Sequence, residues 1–255
     1  MPFFTHTAPA PAEGLDHHLI LTPGAHPVAI LAALRAYAAG PDPRPEVLAS
    51  LDAAFHAALP RVRPTGGRVL LAVDVSSSMA GGDVAGVPGL TPRDVTAAMA
   101  LLVAATESRP AILAFSAGGW FRDRGRHRYA GIPDGLTRLD VAPRGRLADA
   151  VHAVDGLPFG ATDCALPMLY ALALERRVDT FVVLTDDETW FGDVHPVQAL
   201  RSYRAATGID ARLVVVGLRS DGFAIADPRD PGMLDIAGFE ATTPNRIADF
   251  ARRNR

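Results

Sequence analysis

The chain has 255 residues, 25 basic against 28 acidic groups for a net charge of −3, and 49% hydrophobic residues, enough to pack one large or two modest domains and too apolar for a disordered chain. All 25 of those basic residues are arginine, so Schiff-base chemistry, pyridoxal chemistry and a lysine-dependent phosphate loop are excluded. The near-neutral balance argues against a surface that grips nucleic acid throughout, and a single cysteine, Cys164, excludes an intramolecular disulfide and a cysteine-built zinc site.

Residues 1–25 are rich in proline, alanine and histidine without periodicity, and read as a flexible arm. No basic stretch leads into an apolar run of secretory length, and no later segment approaches about 20 uninterrupted apolar residues. A soluble, cytoplasmic chain is expected. From Pro27 to Ala39, proline at the start and Gly40 as the stop predict a helix. Pro45 opens a second, in which Leu48, Leu51, Phe55 and Leu59 recur at steps of three and four and share one stripe. This hairpin, residues 26–66, needs a surface for that stripe, on its own domain or on another chain; Pro60 to Gly67 reads as a linker.

From residue 67 to the C-terminus the pattern changes. Short runs apolar on both faces, Val69–Val73, Ala111–Phe115, Thr180–Leu184 and Leu213–Gly217, alternate with helix-length segments. Thr91, Pro92 and Asp94 form a capping-box pattern ahead of one helix; Leu147–Val154, Ala165–Glu175 and Pro196–Ala206 are others. Such alternation predicts an α/β domain with a doubly wound, mostly parallel sheet flanked by helices, in which function sits on the loops at the carboxyl ends of the strands.

Three of those loops carry hard oxygen donors. After the first strand the chain reads Asp74-Val75-Ser76-Ser77-Ser78-Met79, a DxSxS spacing that puts one carboxylate and two hydroxyls in one tight turn. Thr162 and Asp163 enter a helix, and Leu184-Thr185-Asp186 directly follows the third apolar strand. Two carboxylates and three hydroxyls at one sheet edge suit Mg²⁺ or a similar divalent cation. Taken alone, Asp74, Ser76 and Ser78 are equally compatible with a turn in which they only satisfy backbone amides.

These words resemble the von Willebrand factor A domain with its metal-ion-dependent adhesion site, and more closely the A domain of the Ro ribonucleoprotein (TROVE) family. LLAVDVSSSM, GLPFGATDCALPM, VLTDDETWFGDVHPVQALRSYR, GIDARLVVVG and GFAIADPRDPGMLDIAGF carry that resemblance. It implies that Asp74, Ser76, Ser78, Thr162 and Asp186 are metal ligands, the hydroxyls of Ser76 and Ser78 directly and the rest directly or through water. It implies a non-enzymatic, Mg²⁺-dependent binding module acting in noncoding-RNA binding or ribonucleoprotein assembly. The hairpin resembles the last helices of the family's helical-repeat ring, most of which is absent here, so RNA binding is conditional on that ring or on a separate chain.

Asp163 is expected to cap the helix near Cys164, with Thr162 left for the metal. Asp187 and Glu188 read as rim acids, His195 as a packing or loop residue because Mg²⁺ discriminates against imidazole, Trp190 as a loop anchor, and Cys164 as buried and inert. The alternating Arg122, Arg124, Arg126 and Arg128 read as a solvated strip balanced by Asp123 in preference to a phosphate-contacting one. A second function stands beside the first: an A-domain adaptor that presents its metal to an acidic group of a protein partner, without RNA. Neither reading involves a membrane or DNA. Phosphatase-like chemistry is disfavoured by Ser76, where a second acid is needed, and by the absence of lysine; serine hydrolysis is disfavoured because no serine here sits in a GxSxG elbow.

Overall fold

The computed structural model describes residues 25–116, 135–155, 157, 162–186, 192–219 and 225–253. Helices α1 (Pro27–Ala38) and α2 (Pro45–Ala58) form the N-terminal hairpin, and a 3₁₀ turn, Leu59–Arg61, leads out of it. The order then runs β1 (Val69–Asp74), α3 (Pro92–Thr106), β2 (Ala111–Phe115), β3 (Leu136–Arg138), α4 (Leu147–Asp155) and α5 (Leu166–Ala173). It continues with β4 (Thr180–Thr185), α6 (Pro196–Thr207), β5 (Arg212–Gly217), β6 (Met233–Ala237) and α7 (Thr243–Arg252).

The strands form one six-stranded sheet in the order β3-β2-β1-β4-β5-β6, parallel throughout except for the antiparallel edge strand β3. Central strands β1, β4 and β5 are buried along their whole length, which is why they read as unbroken aliphatic runs. Successive side chains go to opposite faces. Leu71, Val73, Val182, Leu184, Val214 and Val216 join one core with α3, α7 and the hairpin. Leu70, Ala72, Phe181, Val183, Leu213 and Val215 join the other with α5 and α6.

The hairpin buries its stripe against its own domain. Ile30, Leu31, Phe55 and Ala58 belong to the same core cluster as Val73, Met79 and α3. Leu51 and Leu59 are also buried, whereas Leu48 is only half-buried at the edge. Arg35 of α1 reinforces the docking with an ion pair to Asp94, 2.9 Å long, and Asp94 also completes the Thr91 capping box at the start of α3.

Three elements escaped the sequence reading. Strand β3 has only three residues, β6 (MLDIA) is interrupted by Asp235, and α7 has a strongly polar outer face. Residues 1–24 and the Arg122–Arg128 strip, with Asp123, lie outside the described residues.

The strand order reverses at the boundary between β1 and β4: from β1 the chain proceeds to β2, and from β4 to β5 on the other side. Connections therefore leave these two strands toward opposite edges of the sheet and open a crevice at their carboxyl ends. Asp74 closes β1 at that crevice, and Asp186 follows β4.

Candidate metal centre

Pairing of β1 with β2 extends one residue past Asp74, since the Val75 amide donates to the Phe115 carbonyl at 3.1 Å. The chain then curls into a 3₁₀ turn, Ser77–Ala80, with the Met79 amide donating to the Ser76 carbonyl. Met79, fully buried, anchors this turn in the core beneath it. The curl brings the Ser76 and Ser78 hydroxyls within 3.0 Å of each other.

Asp74 is the hub that gathers the loops. One carboxylate oxygen, Oδ1, accepts from the Ser76 amide at 2.8 Å. The other, Oδ2, accepts from the Thr162 hydroxyl at 2.8 Å and from the Thr185 hydroxyl at 2.9 Å. One buried carboxylate thus ties together the β1 turn, the segment entering α5 and the last residue of β4. Burial pushes the Asp74 carboxyl up to about 6; its three hydrogen bonds oppose the rise and the nearby Asp186 charge adds to it.

Asp186 is buried, and its Oδ1 has no hydrogen-bond partner among the described residues. Its Oδ2 lies 3.7 Å from Nη1 of Arg219, too long for a hydrogen bond. A buried carboxylate oxygen left without a donor is costly unless a cation or water takes it. That orphaned acceptor, together with the close pair of serine hydroxyls and the Thr162 hydroxyl bound to Asp74, is an all-oxygen donor set that fits a hard divalent cation. Two carboxylates balance a dication and leave it able to attract a further anion. Among the described residues no cluster of three or more His, Cys, Asp or Glu side chains could hold a metal, so a site here depends on its hydroxyls as much as on its acids.

Of the other residues singled out by sequence, Asp163 behaves as a turn cap: its Oδ1 accepts from the Ala165 amide at 3.0 Å. Burial pushes its carboxyl up to about 6. Cys164 is fully buried and its thiol is pushed up by that burial, which makes it inert. His195 is the N-cap of α6, accepting from the Val197 amide through Nδ1. Asp187, Glu188 and Trp190 lie outside the described residues. Two residues were missed. Thr185, named only as part of the segment after the strand and not as a site residue, closes β4, where threonine reads as an ordinary strand former. Arg219 stands two residues beyond β5 and reaches the crevice only because β5 pairs with β4.

A doubly wound sheet whose reversal point carries a DxSxS turn, a threonine before a helix and an aspartate after the next central strand defines a von Willebrand factor A-type domain. More narrowly, the chain belongs to the Ro60 vWA domain family, whose sequence model matches residues 68–251. It is 43% identical over 235 residues to the RNA-binding protein RO60 of Deinococcus radiodurans, covering 89% of this chain and 41% of that protein. To the RNA-binding protein RO60 of Caenorhabditis elegans it is 34% identical, over 88% of this chain and 33% of the relative. The crystal structure of the Deinococcus radiodurans RO (RSR) protein superposes with a TM-score of 0.75 at 41% identity, covering 89% of this chain and 44% of that one. The chain therefore spans less than half the length of these relatives.

Proposed function

We propose that the chain is the Mg²⁺-dependent binding module of a Ro-type ribonucleoprotein, acting in noncoding-RNA binding or in assembly of the particle. The curated relatives are named as RNA-binding proteins, and the chain is non-enzymatic. In this reading Ser76, Ser78 and Thr162 supply hydroxyl oxygens, and Asp186 supplies the carboxylate oxygen that lacks a donor. Asp74 holds the Thr162 hydroxyl and the Ser76 amide in place and meets the cation directly or through water. When bound, the cation supplies a Lewis-acidic position for an oxyanion of a partner. A cytoplasmic setting belongs to the same reading. So does the division into an arm (1–25), a hairpin that closes a helical-repeat region (26–66) and the A domain (67–255).

The observation that carries this reading is the orphaned, buried Oδ1 of Asp186, whose carboxylate is near enough to Asp74 for its charge to act there, at the crevice where Asp74 also binds the Thr162 hydroxyl. Isothermal titration calorimetry with Mg²⁺ tests it. The wild-type protein should bind the ion, and Asp186→Asn and Ser76→Ala should each weaken binding by at least about tenfold, the loss of one charge-assisted or direct oxygen contact, while circular dichroism stays unchanged. Absence of binding by the wild type at millimolar metal removes the reading.

The second reading, an adaptor that offers its metal to an acidic group of a protein partner without RNA, draws on the cationic Arg219 beside Asp186, 3.7 Å away. A pull-down with and without ribonuclease separates the two, because only an RNA-bridged complex dissolves.

A further inference from the structure

Arg219 is placed over the candidate metal centre by three separate features. The Leu218 amide donates to the Thr185 carbonyl at 2.7 Å, extending the β4–β5 pairing and setting Arg219 beside Asp186. The loop after the DxSxS turn is tied to the same strand end, with the Ala85 amide donating to the Leu218 carbonyl at 2.8 Å. Gly82 in that loop has φ +72° and lies against the guanidinium: a Cβ there would come within 2.7 Å of Nη2. Among the described residues the guanidinium makes one long hydrogen bond, from Nη1 to the Ser78 carbonyl at 3.4 Å, and one distant ion pair, to Asp186. Its side chain remains 42% exposed while Asp186 is 2% exposed.

We propose that Arg219 is the second half of an anion-binding site whose first half is the metal, and that it selects a single carboxylate from a protein partner. The inference rests on the metal reading above. Asp74 and Asp186 balance a dication, and Arg219 then leaves one positive charge in excess, which matches a monoanion. A guanidinium is a planar fork with donors to spare, suited to one oxygen of a carboxylate while the other faces the cation. A side-chain carboxylate is favoured over an RNA phosphodiester because four of the five proposed ligands, Asp74, Ser76, Thr162 and Asp186, are buried and only Ser78 is exposed. An acid on a thin stalk reaches an ion held by mostly buried ligands, whereas a phosphodiester is flanked on both sides by sugars.

The test measures Mg²⁺ affinity by calorimetry in sodium chloride, and again at equal ionic strength with excess sodium acetate or dimethyl phosphate. Linkage requires an anion that binds across the pair to tighten Mg²⁺ binding. Wild type should show this with acetate. Arg219→Gln should bind bare Mg²⁺ roughly threefold or more tightly, since a repelling charge is gone, yet lose the acetate enhancement. Arg219→Lys should keep the bare affinity and recover part of the enhancement. A merely structural role would weaken both together, and that result, or an undiminished acetate effect in Arg219→Gln, overturns the proposal. Tightening by dimethyl phosphate but not by acetate overturns the assignment to a carboxylate. No Mg²⁺ binding by the wild type overturns the metal reading itself, and this one with it.

Discussion

Asp74 shows how much one side chain organises here. With no exposure and three donors on two oxygens, it is where the β1 turn, the α5 entry and the β4 end become one object. Its partner Thr185 is the sharper test of that role. Thr185→Val keeps shape and β-branching and removes one donor from a buried carboxylate, which should cost about 1–3 kcal/mol in urea unfolding. It should also weaken Mg²⁺ binding, although Thr185 is not among the proposed ligands; an unchanged urea midpoint would show that Asp74 does not depend on this donor. Asp74, Ser76, Ser78, Thr162 and Asp186 were legible in the sequence because hard donors immediately follow apolar strands or precede a helix. Thr185 was not, since one residue of TFVVLT looks like any other strand threonine. Arg219 was illegible for another reason: its neighbourhood with Asp186 is made by strand order, which runs of aliphatic residues do not encode.

At the scale of elements, local chemistry announces its boundaries where caps are present. Thr91, Pro92 and Asp94 form the capping box that their spacing implied, and α3 begins at Pro92. Helix α7 has a proline in its first turn but no side-chain cap, and neither it nor strand β6 was legible. Helix α1 has an unusual cap, the imidazole of His26, whose Nδ1 accepts from the Val28 amide. An acceptor nitrogen requires the neutral ring. Burial, and then the charge of Arg61, lower the His26 pKa from its ordinary 6.5. A lowered folded-state pKa means the folded protein binds this proton less readily than the unfolded chain. The stabilisation is therefore fully present above pH 6.5 and is lost as pH falls through the lowered value. Amide hydrogen exchange should show the first turn of α1 losing protection on acidification, and His26→Asn, which keeps a capping acceptor without titrating, should flatten that dependence. A pH profile of α1 identical in wild type and His26→Asn would count against the cap.

For the molecule as a whole, the hairpin matters as much as the sheet. Its stripe was legible from the spacing of Leu51, Phe55 and Leu59, but whether it covers its own domain or another chain was open, because periodicity identifies an apolar face and not its partner. The fold answers with continuity: Phe55, 1% exposed, lies in one cluster with Leu31, Met79 and Leu101, so a single core runs from the hairpin to the underside of the DxSxS turn. Phe55→Ala should cost about 3–5 kcal/mol, the usual penalty for emptying a buried aromatic site. Because the core is continuous, thermal unfolding should remain one transition at a lower midpoint; an early, separate melting of the hairpin would show two cores instead. Met79 shares its core cluster with β1 and α3 residues as well as with the hairpin, so the turn above it should keep its shape in this variant. Saturating Mg²⁺ should therefore stabilise Phe55→Ala by the same free energy as wild type, since the increment depends only on ion concentration and affinity. A smaller increment would mean that the hairpin tunes the metal centre through Met79.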